Sequence, residues 1–142
     1  MKYLKLYESN DNKILDNFCD FLKNFIKGKL NKIIYINKYN NYKYNFYYDD
    51  DYSRPRKIFD IIIIDYFYDD IDRFFQFNIF DKIDTINYNL NDEIINIITI
   101  INDIIKRYSK NQNMIKFVDI PIIIETIYSE YNVLSNIKKY NL

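Results

Sequence analysis

The stretch from Ile94 to Ile105 constrains the fold more than any other feature of this chain. Eight of its twelve residues are isoleucine. At about 100° per residue, Asn96, Thr99, Asn102, Asp103 and Lys106 fall within an arc of about 120°, leaving the rest of the circumference apolar. A helix this apolar must be surrounded by protein. Asp92 and Glu93 at its start and Lys106 and Arg107 at its end complement the helix macrodipole. The spacing therefore predicts a central helix over about 91–109, with Ile97, Ile98, Ile101 and Ile104 buried. The four polar interruptions keep the run well short of the ~18 apolar residues that a membrane span requires.

The neighbouring segments carry their own periods. After the polar break SKNQN, Asp119 can cap a last helix over about 119–134, with Pro121 in its first turn. Its apolar stripe is Ile120, Ile123, Ile124, Ile127, Tyr128, Tyr131 and Leu134. At the other end, Ile14, Leu15, Phe18, Cys19, Leu22, Phe25 and Ile26 recur at spacings of three and four, predicting a helix over about 11–27. Ser9, Asn10 and Asp11 supply its start, and Gly28 suits a left-handed C-cap. Residues 2–7, KYLKLY, read as a short strand.

Residues 32–48 are rich in β-branched and aromatic side chains and predict a hairpin with Asn40-Asn41 at its tip. That register pairs Tyr39 with Tyr42, Asn37 with Tyr44, Tyr35 with Phe46 and Ile33 with Tyr48, and sets Lys38 opposite Lys43. DDDYSRPRK (49–57) is a loop. IFDIIIIDY reads as a buried strand at about 58–66, although Ser53 and Pro55 would also suit a helix start. Ile71, Phe74, Phe75, Ile79 and Phe80 suggest a short helix over 69–80.

These segments predict one α+β domain over 1–142. Its small antiparallel sheet is the hairpin at about 32–48 plus strands near 2–7 and 58–66, packed by helices at about 11–27, 69–80, 91–109 and 119–134. A chain of 142 residues buries roughly two-thirds of its unfolded surface and needs no staple. One alternative remains. The apolar helix, polar break and amphipathic last helix over about 90–134 resemble the end of poxviral Bcl-2-like proteins. That resemblance implies an all-α bundle, a small cytoplasmic domain that binds host death or signalling proteins.

Composition bears on chemistry. The chain has no histidine, one cysteine and one glycine. It therefore lacks an imidazole base, a His- or Cys-rich metal site, an internal disulfide and the glycine-rich phosphate loops. No cofactor is expected. Twenty basic and twenty acidic residues cancel, so bulk charge favours neither nucleic acid nor an anionic bilayer. The N-terminus has no signal-peptide pattern, and a cytoplasmic, intracellular protein is the expectation. Isoleucine, asparagine, lysine, tyrosine and phenylalanine make up 92 residues. All five use A/T-rich codons, which resembles the products of very A/T-rich viruses and mobile elements.

Four constellations remain as candidates. Asp49, Asp50, Asp51, Asp60, Asp65, Asp69, Asp70 and Asp72 supply oxygen ligands for a Mg²⁺-dependent nuclease, but no acidic-x-Lys triplet follows closely after Asp60 and Asp65 as the spacing of such enzymes requires. The tyrosine- and lysine-rich hairpin (Tyr39, Tyr42, Lys43, Tyr44, Phe46, Tyr48) could stack single-stranded bases. The helix, three-strand, helix order resembles a double-stranded-RNA-binding domain, but Asp69, Asp70 and Asp72 stand where that family carries lysines. The strand, helix, strand, strand order resembles an RRM, whose RNP1 glycine is missing from YKYNFYY. Cys19, on an apolar stripe, reads as a buried structural thiol. Tyr47, Tyr48, Tyr52, Arg54 and Arg56 combine the residue types that anchor protein interfaces. The expectation is a non-enzymatic protein–protein interaction module, accessory or host-modulating, with those five residues at the contact. Its partner is a protein of unstated identity. Nucleic acid and membrane are not expected as partners.

Overall fold

Three helices cover one face of a five-stranded antiparallel sheet in the computed structural model, which describes residues 2–30, 34–39, 43–48, 56–64, 73–79, 92–110 and 113–140. The elements in chain order are α1 (Lys2–Leu30), β1 (Ile34–Tyr39), β2 (Lys43–Tyr48), β3 (Arg56–Ile64), β4 (Phe74–Ile79), α2 (Asp92–Lys106), β5 (Met114–Lys116) and α3 (Ile120–Tyr140), the last preceded by a 3₁₀ turn at Phe117–Asp119. The strands lie in the sheet in the order β1-β2-β3-β4-β5. This is the expected α+β class; the all-α alternative does not accommodate the sheet.

One core joins every layer. The register sets Phe46 beside Phe59, Ile61 beside Phe77 and Ile63 beside Phe75, so these side chains share one face. Phe46 stacks on Phe59 with ring centroids 4.1 Å apart, and Phe59 meets Phe77 at 4.8 Å. Such cross-strand aromatic contacts stabilise a sheet beyond the area they bury. Leu15, Phe18, Cys19, Leu22 and Ile26 of α1 close over this face, together with Ile94, Ile98, Ile101, Ile105, Ile123 and Ile127. The predicted Ile97, Ile98, Ile101 and Ile104 are all buried. At the far side, Arg107 pairs with Glu130 at 2.7 Å and the Tyr108 hydroxyl meets Thr126 at 2.8 Å, linking α2 to α3. Among the described residues, no helix is long and apolar enough to cross a membrane.

Several local expectations are corrected. Residues 2–7 belong to α1 and form no strand. Extending an existing helix gains one hydrogen bond per residue fixed, whereas a lone strand must find an edge to pair with. Of the predicted 69–80 helix, the described part is β4: Phe75 and Phe77 point to the core while Gln76 and Asn78 take the other face. With β3 alongside, that alternation buries the aromatic residues more fully than a helical turn.

The hairpin forms, but its register differs by one residue. Ile34 faces Tyr48, Ile36 faces Phe46, Lys38 faces Tyr44 and Tyr39 faces Lys43. A one-residue slip exchanges the faces of a strand. The observed register turns Ile34 and Ile36 to the core beside Phe46 and Tyr48, where the predicted one would have turned Tyr35 and Asn37.

Gly28 lies inside α1 without a positive φ, so it is no left-handed cap. The residue that does take positive φ is Asn113 (61°), just before β5, where asparagine tolerates that conformation. The strand at 58–66 and the helices at 91–109 and 119–134 are present as β3, α2 and α3, with Pro121 in the first turn of α3.

Candidate functional site

The sheet face turned away from the helices carries a row of polar side chains, positioned by a break in strand register. Phe46 pairs with Phe59 but Tyr47 pairs with Lys57, so Ile58 is an extra residue on β3, a β-bulge. In a regular strand, residues three apart point to opposite faces. The bulge instead puts Lys57 and Asp60 together, and Lys57 Nζ lies 3.0 Å from Asp60 Oδ2. Lys43 Nζ of β2 stands 3.8 Å from the same oxygen, and Asn78 Nδ2 of β4 donates to Oδ1 at 3.1 Å. Asn45, paired with Asp60 across β2 and β3, is buried with no hydrogen-bond partner for its Oδ1. The Asp60 side chain is only 8 % exposed. A carboxylate so enclosed needs its cations, since a buried unpaired charge costs several kcal/mol. This arrangement neutralises Asp60.

The sequence offers Asp60 as a possible metal ligand; it sits in mid-strand on β3. Among the described residues, no three His, Cys, Asp or Glu side chains converge on a point that could hold a metal ion. Asp49, Asp50, Asp51, Asp65, Asp69, Asp70 and Asp72 lie outside the described residues.

A second polar contact ties α1 to β2. The Tyr44 hydroxyl donates to Asp16 Oδ1, Lys38 Nζ stands 3.7 Å from that oxygen, and the same ammonium lies 5.2 Å from the centre of the Tyr44 ring. Burial, then the Asp16 hydrogen bond and charge, push the Tyr44 hydroxyl far above the usual tyrosine range. Cys19 lies one turn along α1 from Asp16. Burial, reinforced by Asp16 and Asp20, pushes its thiol far up as well. Both groups keep their protons at neutral pH, and Cys19 is the buried free thiol that its stripe predicts.

Exposed apolar side chains gather on the last helix. Of seven exposed large hydrophobic residues among the described ones, Val118, Ile122, Tyr128, Val133 and Ile137 all lie in the α3 region. At 100° per residue, Ile122, Val133 and Ile137 fall within about 60° of one another, about 120° round from Ile120, Ile123, Ile127 and Tyr131. The latter four are buried, so α3 has two apolar faces with only one in the core. Val133 is 58 % exposed and Val118 69 %. Tyr128, expected on the buried stripe, is instead 66 % exposed, its ring 5.1 Å from Phe21 and 6.2 Å from Phe25 of α1.

The predicted contact residues fall only partly among the described ones. Tyr48 is buried in the core, and Tyr47, its neighbour on β2, takes the opposite face and is half-buried. Arg56 opens β3 opposite Tyr48, and Tyr52 and Arg54 lie outside the described residues. Tyr44 and Phe46 of the tyrosine-rich hairpin are core side chains packed with α1, not a display for bases. The spacing of Ile122, Val133 and Ile137 is the sequence signal of the second α3 stripe, which the periodicity of the buried stripe overshadows. Lys57 and Asn78 had no local signal, because the bulge that aligns Lys57 depends on β2. Comparison with protein families, curated proteins and solved structures finds no match.

Proposed function

We propose that this protein acts by contact with another protein, through the outer face of α3, and not by catalysis. The observation that carries this reading is the concentration of exposed apolar side chains at Val118, Ile122, Val133 and Ile137. Apolar groups gathered on one exposed face mark interaction sites more often than scattered ones do. The protonated Tyr44 and Cys19 support the non-catalytic part, because neither is poised as a nucleophile. A cytoplasmic, accessory or host-modulating role in a virus or mobile element with an A/T-rich genome belongs to the same proposal and rests on composition.

The test is site-specific photo-crosslinking in cells that make the protein. Probes at Ile122 and Val133 should yield adducts of one discrete mass, while a probe at exposed Asn37 on β1 should not. Equal labelling at all three positions, or none, would sink the reading. The loop from Tyr47 to Arg56 enters through a second arm: if Tyr52→Ala with Arg54→Ala removes the adducts, the contact surface extends to that loop.

A further inference from the structure

The outer stripe of α3 reaches beyond its exposed isoleucines and valine. Ile122, Thr126, Ser129, Val133 and Ile137 follow one another at steps of four, three, four and four residues. At 100° per residue they fall within an arc of about 80°, the narrow seam of a two-helix contact. Its two hydroxyl residues do not make it polar. Thr126 Oγ1 donates to the Ile122 carbonyl at 2.7 Å and Ser129 Oγ to the Thr126 carbonyl at 3.4 Å, both within α3. The Tyr108 hydroxyl gives Thr126 a further partner at 2.8 Å. The seam can therefore be dried without leaving a hydroxyl unpaired. Ser129 is small and Val133, one turn on, is branched, so a hollow adjoins a knob.

Charge bears on the occupant. Glu125 and Lys139 take positions on one flank of the seam, about 40° apart round the helix and about 21 Å apart along it. A parallel copy of α3 would set Glu125 beside Glu125 and Lys139 beside Lys139. An antiparallel copy, turned about a two-fold axis at the level of Tyr131, brings position 125 of each chain within about 3 Å, measured along the helix, of position 139 of the other. The same operation seats Val133 of each chain over Ser129 of the other. Antiparallel helices also set opposite ends of their macrodipoles together. One register thus matches knob to hollow and acid to base, twice each by symmetry.

We propose that a second copy of this chain occupies the outer face of α3, the two helices packing antiparallel across that two-fold axis. This rests on the reading of the face as a contact surface and names its partner. A single helix pair buries less than the ~1,200 Å² at which standard interfaces begin, so the dimer is a weak one, with Kd on the order of 10–100 µM. Dilute samples hold the monomer.

Sedimentation equilibrium of the full chain from about 5 to about 500 µM tests it, with the mass expected to rise from 17.6 kDa toward twice that value. Val133→Glu sets two carboxylates at the centre of the contact and should keep the chain monomeric throughout. Val133 is exposed, so circular dichroism and the Tm of dilute samples should match the parent. Glu125→Lys should raise Kd about threefold or more, and adding Lys139→Glu should restore it. Orientation is read from disulfides. Ser129→Cys and Val133→Cys chains oxidised together should form the mixed bond, since the antiparallel register brings those two positions within reach and holds like positions apart. Cys19 is buried and leaves the parent unlinked. A chain that stays monomeric, a dimer indifferent to Val133→Glu, or like-with-like disulfides would overturn the proposal. A monomer in solution whose in-cell adducts at Ile122 and Val133 differ from twice the chain mass overturns the second copy alone and leaves the contact reading standing. A monomer with no adducts removes both.

Discussion

α2 and α3 lie side by side and are both rich in isoleucine, yet they use it differently. In α2, Ile94, Ile97, Ile98, Ile100, Ile101, Ile104 and Ile105 are buried, and the polar residues share one arc. In α3, Ile120, Ile123 and Ile127 are buried while Ile122 and Ile137 stand in solvent with Val133. Packing within the chain accounts for the apolar content of α2 and for only part of that of α3. Apolar content alone therefore does not report what folding needs; its angular distribution does.

The largest effect expected is at the centre of α2. Ile101→Ala should destabilise by about 4 kcal/mol, the cost of lost transfer free energy and a residual cavity, measured by urea denaturation. A loss under about 1 kcal/mol would break the comparison at its first term. Next is Asp60→Ala on the sheet. It removes the carboxylate that Lys57 and Asn78 meet and should cost about 3 kcal/mol. This variant asks whether enclosure, and not apolarity, sets the cost of a substitution.

A pH series sharpens the role of the α1–β2 contact that closes the other end of the core. The folded chain holds the Cys19 and Tyr44 protons well above their ordinary values of 9.0 and 10.0, while the unfolded chain releases them there. The stability linked to these two groups is complete below about pH 9 and is lost as pH rises beyond it. Denaturation midpoints between about pH 9 and 11 should fall, and Tyr44→Phe should make that fall shallower. A midpoint that stays level across this range would overturn the linkage.

Smaller again, Gly28→Ala should stabilise by about 0.5–1 kcal/mol, since a Cβ there meets nothing within 4 Å and alanine favours the helix. A loss of that size would restore the discarded C-cap. The smallest effect belongs to the exposed face of α3. Ile122→Ala should change stability by less than about 0.5 kcal/mol. Set beside Ile101→Ala, it measures directly how differently two isoleucines on adjacent helices are employed.

Most of the fold was legible, and the errors share a cause. Helices α2 and α3, strand β3 and the existence of the hairpin follow from periods visible within a short window. Phe74 to Ile79 has aromatic spacing compatible with either period, and the presence of β3 decided it. Residues 2–7 show the reverse, where two leucines two apart imitate a strand but continue a helix. For the candidate sites less was legible. Asp60 is visible in the sequence as a carboxylate, but its partners Lys43, Lys57 and Asn78 come from three strands, one of them aligned by the bulge.

By itself, the sequence determined the α+β class, the buried isoleucine face of α2 and the absence of imidazole, thiol-pair and glycine-loop chemistry. These are properties of composition and local period, which hold wherever the segment sits. The tertiary structure alone decided the hairpin register, the strands β4 and β5, the enclosure of Asp60 and the exposed face of α3. Each depends on which distant segment becomes a neighbour. That choice minimises exposed apolar surface and unpaired polar groups over the whole chain at once, and no local window contains it.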